Sequence, residues 1–279
     1  MFNLLVALDA NYLPALRVML KSMFVNHPDE SFAVYFMHSG IPDKDVGELR
    51  RFVESEGHRL YPVAVDAGLF ADAVVFRHYT KEMYYRLVAH RFLPENVDRV
   101  LYLDPDIVAI NSATAFYRTD FGDCYFVASE HTPAVKMTAK FNQFRLGIPQ
   151  AKGYFNSGVL LINVERMRKE ADVEDVFRFL KENRHRLILP DQDVLNGLYW
   201  DKIKPVDCLI YNFDARYYEF FKLIPHHKVN LKWIEENTVF IHYCGKRKPW
   251  HPSYKDELGR FYYRYENMLR AAESGSGAG

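Results

Sequence analysis

Short apolar runs alternating with segments of helical spacing dominate the first hundred residues, and no other feature restricts the fold as tightly. Residues 2–8 form a near-continuous apolar run, the pattern of a strand buried on both faces. Pro14 suits a first helical turn, and Leu16, Met19, Leu20, Met23 and Phe24 follow at helical spacing. Residues 32–38 read as a second strand, 42–56 as a helix, 59–65 as a third strand, 81–92 as helical and 99–103 as a strand. Such alternation is the mark of βαβ units and of an α/β domain with a largely parallel sheet.

The rhythm loosens past residue 110. Residues 125–129 and 158–163 read as strands, 171–184 and 191–200 as helices, and 255–272 as a closing helix. Residues 211–227 are aromatic-rich without a period, and 239–242 form a short apolar run ending in His242. No internal repeat or linker divides the chain, so one catalytic domain over 1–272 is expected. Residues 273–279, ESGSGAG, read as a flexible tail.

Composition excludes several classes of function. Lysine plus arginine and aspartate plus glutamate both number 36, so no whole-surface field draws the chain to nucleic acid. Lys246-Arg247-Lys248 is a local basic patch only. Cys124, Cys208 and Cys244 form no CxxC pair and no even framework, which fits a reducing, cytoplasmic setting. No apolar run reaches the length of a membrane span, so any membrane association is expected to be peripheral, at the inner face.

The chemistry concentrates at Val100-Leu101-Tyr102-Leu103-Asp104-Pro105-Asp106. Ligands of open α/β sheets bind beyond the carboxyl ends of the strands. A strand that stops in Asp-x-Asp delivers two carboxylates there, and residues i and i+2 of an extended chain point the same way. Hard oxygen donors suit magnesium or manganese, either of which can bridge to a diphosphate. Taken alone, the motif is equally compatible with an acidic turn. It also fits two enzyme classes, a nucleotide-sugar transferase and an aspartyl-nucleophile phosphatase. The phosphatase reading is weakened because its strand usually opens the domain.

Six blocks in order carry a resemblance to a known family. They are Val6-Ala7-Leu8-Asp9-Ala10-Asn11-Tyr12; Tyr85-Arg86-Leu87; Leu101 to Asp106; Tyr154-Phe155-Asn156-Ser157-Gly158 running on to Asn163; Asp191-Gln192-Asp193-Val194-Leu195-Asn196-Gly197; and His242-Tyr243-Cys244-Gly245-Lys246-Arg247-Lys248-Pro249-Trp250-His251. With these blocks the chain resembles glycosyltransferase family 8, which includes bacterial lipooligosaccharide galactosyltransferases and glycogenin. The resemblance spans residue 2 to about residue 252. It implies a Rossmann-like nucleotide-diphospho-sugar transferase fold of GT-A type with a mixed, mainly parallel sheet.

The resemblance also implies roles. Ala7, Asp9 and Asn11 would hold uracil and ribose, although Asp9 also suits a helix cap. Arg86, otherwise a candidate for a surface ion pair, would lie near the donor diphosphate. Asp104, Asp106 and His242 would ligate the metal, and an imidazole among carboxylates favours Mn2+ over Mg2+. Gly245 would let backbone approach phosphate, and Lys248 would neutralise the leaving UDP. Lys246 and Arg247 are expected to be solvated. Asn156, Ser157, Asp191 and Gln192 would surround the transferred sugar, with Gln192 and Asp191 at the catalytic centre. His131 stands where the galactosyltransferases carry an aspartate contacting donor sugar, which leaves UDP-glucose and UDP-galactose both open. The acceptor would be a glycan, glycoprotein or glycolipid, and transfer would retain anomeric configuration. A non-catalytic nucleotide-sugar-binding protein is the other alternative. Tyr217, Tyr218, Phe220 and Phe221 are candidates for an acceptor surface or for core.

Overall fold

The computed structural model describes residues 1–66, 68–69, 81–130, 136–224 and 228–276. Ten strands are present among them: β1 (Phe2–Ala7), β2 (Phe32–His38), β3 (Arg59–Ala64), β4 (Arg99–Leu103), β5 (Ile107–Ala109), β6 (Phe126–Glu130), β7 (Phe155–Asn163), β8 (Ile203–Val206), β9 (Phe213–Asp214) and β10 (Phe240–His242). Seven form one sheet in the order β3-β2-β1-β4-β7-β6-β8. Its neighbours are parallel except where β7 meets β4 and β6, so β7 alone is reversed. The expected mixed, mainly parallel sheet is therefore present.

Alternation along the central strands sends side chains into two layers, which is why these strands read as apolar on both faces. Phe2, Leu4 and Val6 of β1 join the core formed with helices Leu13–Val25 and Asp43–Ser55 and the closing helix. Leu5 and Ala7 pack on the other side, against the 84–89 segment and helices Val173–Asn183 and Pro190–Tyr199. The result is helices on both faces of a central sheet.

The remaining strands, β5-β10-β9, make a small second sheet, with β10 antiparallel to β5 and parallel to β9. Two consequences position the site. The reversal of β7 brings its first residues to the edge where β1 and β4 end. The small sheet places β10 beside the chain that has just left β4.

Several elements differ from expectation. The 81–92 segment is a 3-10 turn (Lys81–Tyr84), one helical turn (Tyr85–Val88) and another 3-10 turn (Ala89–Arg91). A separate helix, Val164–Glu170, precedes Val173–Asn183; Asn163 caps it, and the extended backbone of Ala171 ends it. The helix Lys136–Leu146 and strand β8 were not anticipated, having little periodic apolar pattern. The closing helix runs Gly259–Ser276, into the segment read as a tail. Arg17, on the helix Leu13–Val25, pairs with Glu273 at 2.7 Å and so helps to hold the chain in place there.

Candidate active site

β4 ends at Leu103, and the Asp104 N–H continues the ladder by donating to Gly158 O at 2.8 Å. Two residues on, Asp106 leads into β5, whose pairing with β10 sets His242 opposite Ile107. Tyr243 N–H then donates to Asp106 O at 2.9 Å. One short antiparallel ladder thus closes a sequence gap of well over a hundred residues. It leaves His242 Nε2 3.2 Å from Asp106 Oδ1 and 3.8 Å from Asp104 Oδ2.

These residues offer three donor atoms, all within 4.8 Å of one another. His242 Nδ1 lies 3.0 Å from Asn212 Oδ1; with the proton assigned to Nδ1, the Nε2 lone pair faces the carboxylates. Asn212 Nδ2 donates in turn to Asn156 Oδ1 at 2.8 Å, and that oxygen also accepts the Gly158 N–H at 2.8 Å. The floor of the cluster is Gly158, where a Cβ would lie 2.4 Å from His242 Cε1 and 2.6 Å from Asp104 Oδ2. Two carboxylates and one oriented imidazole over a side-chain-free floor suit a divalent cation.

Cations already surround the carboxylates. Lys248 Nζ donates to Asp106 Oδ2 and, at 2.9 Å, to Tyr243 O. Burial works against the Asp106 charge, yet His242 and Lys248 outweigh it and hold the carboxyl well below the usual range. Burial likewise opposes the charge on His242, but Cys244 and Asp106 raise its pKa well above that of free imidazole, so the Nε2 lone pair becomes free only when a bound cation replaces the proton. Arg86 is buried rather than a surface residue. Its Nη1 donates to Ser157 O at 2.7 Å and lies 3.0 Å from Asp104 Oδ1 and 3.5 Å from Asp191 Oδ2. Its Nε donates to Met83 O, and its guanidinium lies over the Tyr102 ring at 4.2 Å. The Tyr102 hydroxyl donates to Asp104 Oδ1 at 2.6 Å.

Asp191 and Gln192 open the helix Pro190–Tyr199, and both are buried. Asp191 Oδ2 accepts from the Ser157 hydroxyl at 2.7 Å, while Gln192 Oε1 accepts from Asn156 Nδ2 at 3.3 Å. Burial pushes the Asp191 carboxyl up, against the pull of Arg86. The segment Asn156–Gly158 therefore touches the Asp104–His242 cluster on one side and Asp191–Gln192 on the other.

Other expected residues lie around this centre. Ala7 ends β1, and Asp9 Oδ1 accepts the Asn11 N–H at 2.8 Å, so Asp9 does cap the turn that follows. Gly245 has a φ of 83°, the left-handed conformation that favours glycine. Lys246 and Arg247 are exposed, as expected. Tyr218 and Phe221 are core; Phe220 is 46% exposed. His131 lies outside the described residues.

The family profile described as Glycosyl transferase family 8 matches residues 3–253. The chain belongs to glycosyltransferase family 8. General stress protein A of Bacillus subtilis (strain 168) is 26% identical over 270 residues, covering 94% of this family 8 chain and 92% of the relative. Lipopolysaccharide 1,2-glucosyltransferase of Escherichia coli is 28% identical, covering 90% and 73%. Among solved structures, the galactosyltransferase LgtC in complex with donor and acceptor sugar analogues superposes with a TM-score of 0.82 at 26% identity, covering 96% of each chain. The fold is thus GT-A type, and divalent metal use is general among glycosyltransferases with it.

Four contributors escaped the sequence reading. Tyr102 and Asn212 orient the carboxylate and the imidazole. Asp193 anchors the start of the 190–199 helix, and Asn196 exchanges bonds with both the N–H and the carbonyl of Phe155. Asp193 and Asn196 lie within a recognised block, but which of its polar residues turn inward depends on where the helix starts. Asn212 carries no local signal at all.

Proposed function

We propose that this family 8 glycosyltransferase moves a hexose from a UDP-sugar to a hydroxyl of a glycan, glycoprotein or glycolipid, with Mn2+ and with retention. The observation that carries the reading is the meeting of Asp104, Asp106 and His242 with Asp191–Gln192 across the single segment Asn156–Gly158. Asp104, Asp106 and His242 would hold the manganese ion, with Mg2+ as the weaker substitute, and the bound cation would supply charge stabilisation for the departing diphosphate. Lys248 and Arg86, buried cations beside the same carboxylates, supply further positive charge at that edge. Ala7, Asp9 and Asn11 hold the nucleoside at the end of β1, and Gly245 admits the phosphates. The names of the similar proteins support glucose or galactose as the sugar.

Retention is supported by how the carboxylates are engaged. Asp191 is committed to Ser157 and Arg86, and Asp193 to Arg145, Tyr154 and two backbone N–H groups. A double displacement needs a carboxylate positioned as nucleophile. Gln192 instead offers an amide dipole to developing positive charge, which suits attack from the face that UDP leaves. The catalytic unit is taken as residues 1–272. No helix among the described residues is long and apolar enough to cross a membrane; a cytoplasmic enzyme that touches the inner face peripherally is part of the proposal.

The test is a panel of UDP-sugars with manganese, scoring UDP release and then the anomeric proton signal of the product. Release that stops in excess chelator and returns best with manganese is expected, with an α-linked product from an α-linked donor. Release unaffected by chelator sinks the metal assignment, and a β-linked product sinks retention.

A further inference from the structure

The helix Lys136–Leu146 turns two phenylalanines to solvent, unlike an ordinary surface helix, which turns its aromatic side chains inward. Its inward side mixes polar and apolar groups: Asn142 is buried and accepts from Arg145 at 3.0 Å, Arg145 reaches the fully buried Asp193 at 2.6 Å, and Leu146 packs with Ile148 and Tyr154. Its outward side carries Phe141, 58% exposed, and Phe144, 81% exposed, three residues apart and therefore neighbours on one face. Beside it runs the segment before the Pro190–Tyr199 helix, where Ile188 is 55% exposed. Arg145 joins the two: it donates to Arg186 O and shares Asp193 with the Ile188 N–H.

The charge here is one-sided in a chain of zero net charge. Residues 136–146 contain no Asp or Glu, and 181–188 contain Glu182 against Lys181, Arg184 and Arg186. Lys140, Arg184 and Arg186 are exposed, and none has a carboxylate partner among the described residues. Exposed phenylalanines mixed with unpaired cations match a surface that is apolar inside and anionic at its boundary. A bilayer uses both features together, the rings for its apolar interior and the surplus positive charge for its anionic headgroups.

We propose that Phe141, Phe144 and Ile188, rimmed by Lys140, Arg184 and Arg186, dock this chain on an anionic lipid bilayer. The patch lies immediately behind Asp193, one residue from Gln192, so docking holds the catalytic edge close to acceptors carried in the membrane. This rests on the transferase reading only for what is delivered there; the docking itself does not.

Sedimentation with vesicles is the test. The chain is expected to pellet with phosphatidylcholine vesicles containing about a third phosphatidylglycerol, to stay in solution with pure phosphatidylcholine, and to be released by high salt. Phe141→Ser with Phe144→Ser, and separately Lys140→Glu with Arg184→Glu, should each weaken binding by about tenfold or more. Their melting temperatures and UDP release with soluble acceptor should stay unchanged, since all four side chains are exposed. Absence of binding to anionic vesicles, or unaltered binding by both variants, overturns the proposal. So does a dimer in light scattering that Phe144→Ser converts to monomer, because the face then belongs to a second copy. Failure of UDP release in every protein, with vesicle binding intact, would count against the transferase reading alone.

Discussion

Gly158 is the residue at which the cluster is least tolerant. Any Cβ there enters the space between His242 and Asp104, at 2.4 and 2.6 Å, and neither neighbour is the far end of a flexible chain. His242 is held by Asn212, and Asp104 by Tyr102 and Arg86. Gly158→Ala is therefore expected to spread the ligands and lower manganese affinity by about ten- to a hundredfold, the range found when supports of a metal site are altered. Isothermal titration with manganese and UDP reads this directly. Wild-type affinity in the variant would mean that the donors do not act as one site.

His90 makes a second prediction at this scale. It is buried, and neither ring nitrogen has a hydrogen-bond partner among the described residues. Burial, helped by Arg91 and Arg168, pushes its pKa down to about 4. The unfolded chain takes up the proton near 6.5, whereas the folded chain resists until about 4, so stability is intact above 6.5 and declines as pH falls through that window. The loss from this group amounts to roughly 3 kcal/mol when complete. His90→Leu should flatten the fall in melting temperature between those two pH values; a slope identical to wild type would assign the loss to other groups.

Among the elements, the Pro190–Tyr199 helix depends on a buried carboxylate more than on its own cap. Its N-cap residue, Leu189, has no capping side chain. Asp193 substitutes from within the first turn, accepting the N–H groups of Ile188 and Leu189 at 2.6 and 3.0 Å. The same carboxylate takes the Tyr154 hydroxyl and the Arg145 guanidinium, both at 2.6 Å. Asp193→Asn keeps the shape but leaves Arg145 without its charge partner, and removing one member of a buried ion pair costs about 3–5 kcal/mol. Denaturant unfolding should show a loss of that order, and a loss below about 1 kcal/mol would reduce the pair to a surface contact in energetic terms.

The same helix shows what was readable in advance and what was not. Its span was legible because Pro190 marks an N-terminus and the apolar spacing that follows is helical. The Asp104 block was legible because a strand ending in Asp-x-Asp sets two carboxylates at the functional edge, whereas the Val6 and His242 blocks were legible only through the resemblance to family 8. The reversal of β7 was not legible, since apolar strands buried on both faces look alike in either direction. Lys136–Leu146 escaped for another reason: Phe141 and Phe144 face outward while Asn142 and Arg145 face inward, so no clean apolar stripe announces it.

For the whole molecule, a bound cation and nucleotide should act as a clasp between the two sheets. β4 belongs to the large sheet and β10 to the small one, yet Asp104 and His242 offer donors to the same point. A ligand present at a hundredfold excess over its dissociation constant adds about 2.7 kcal/mol to folding. For a chain of this length that corresponds to a rise of about 5 °C in melting temperature. Manganese with UDP should produce it, and Asp106→Asn should abolish it; an equal rise in that variant would place the ions elsewhere.

The wide sequence separation of Asp106 and His242 also sets a timetable. A chain emerging from the ribosome displays its first six strands and the two aspartates long before β10 exists, at about 5–20 residues per second. Until the segment around residue 242 is free of the exit tunnel, the imidazole is absent and Gly158 faces an incomplete cluster. A nascent polypeptide is in this sense blind to its cation until β10 has emerged. Capture of manganese by translation intermediates of increasing length would therefore act as a stopwatch, switching on only when the small sheet has closed.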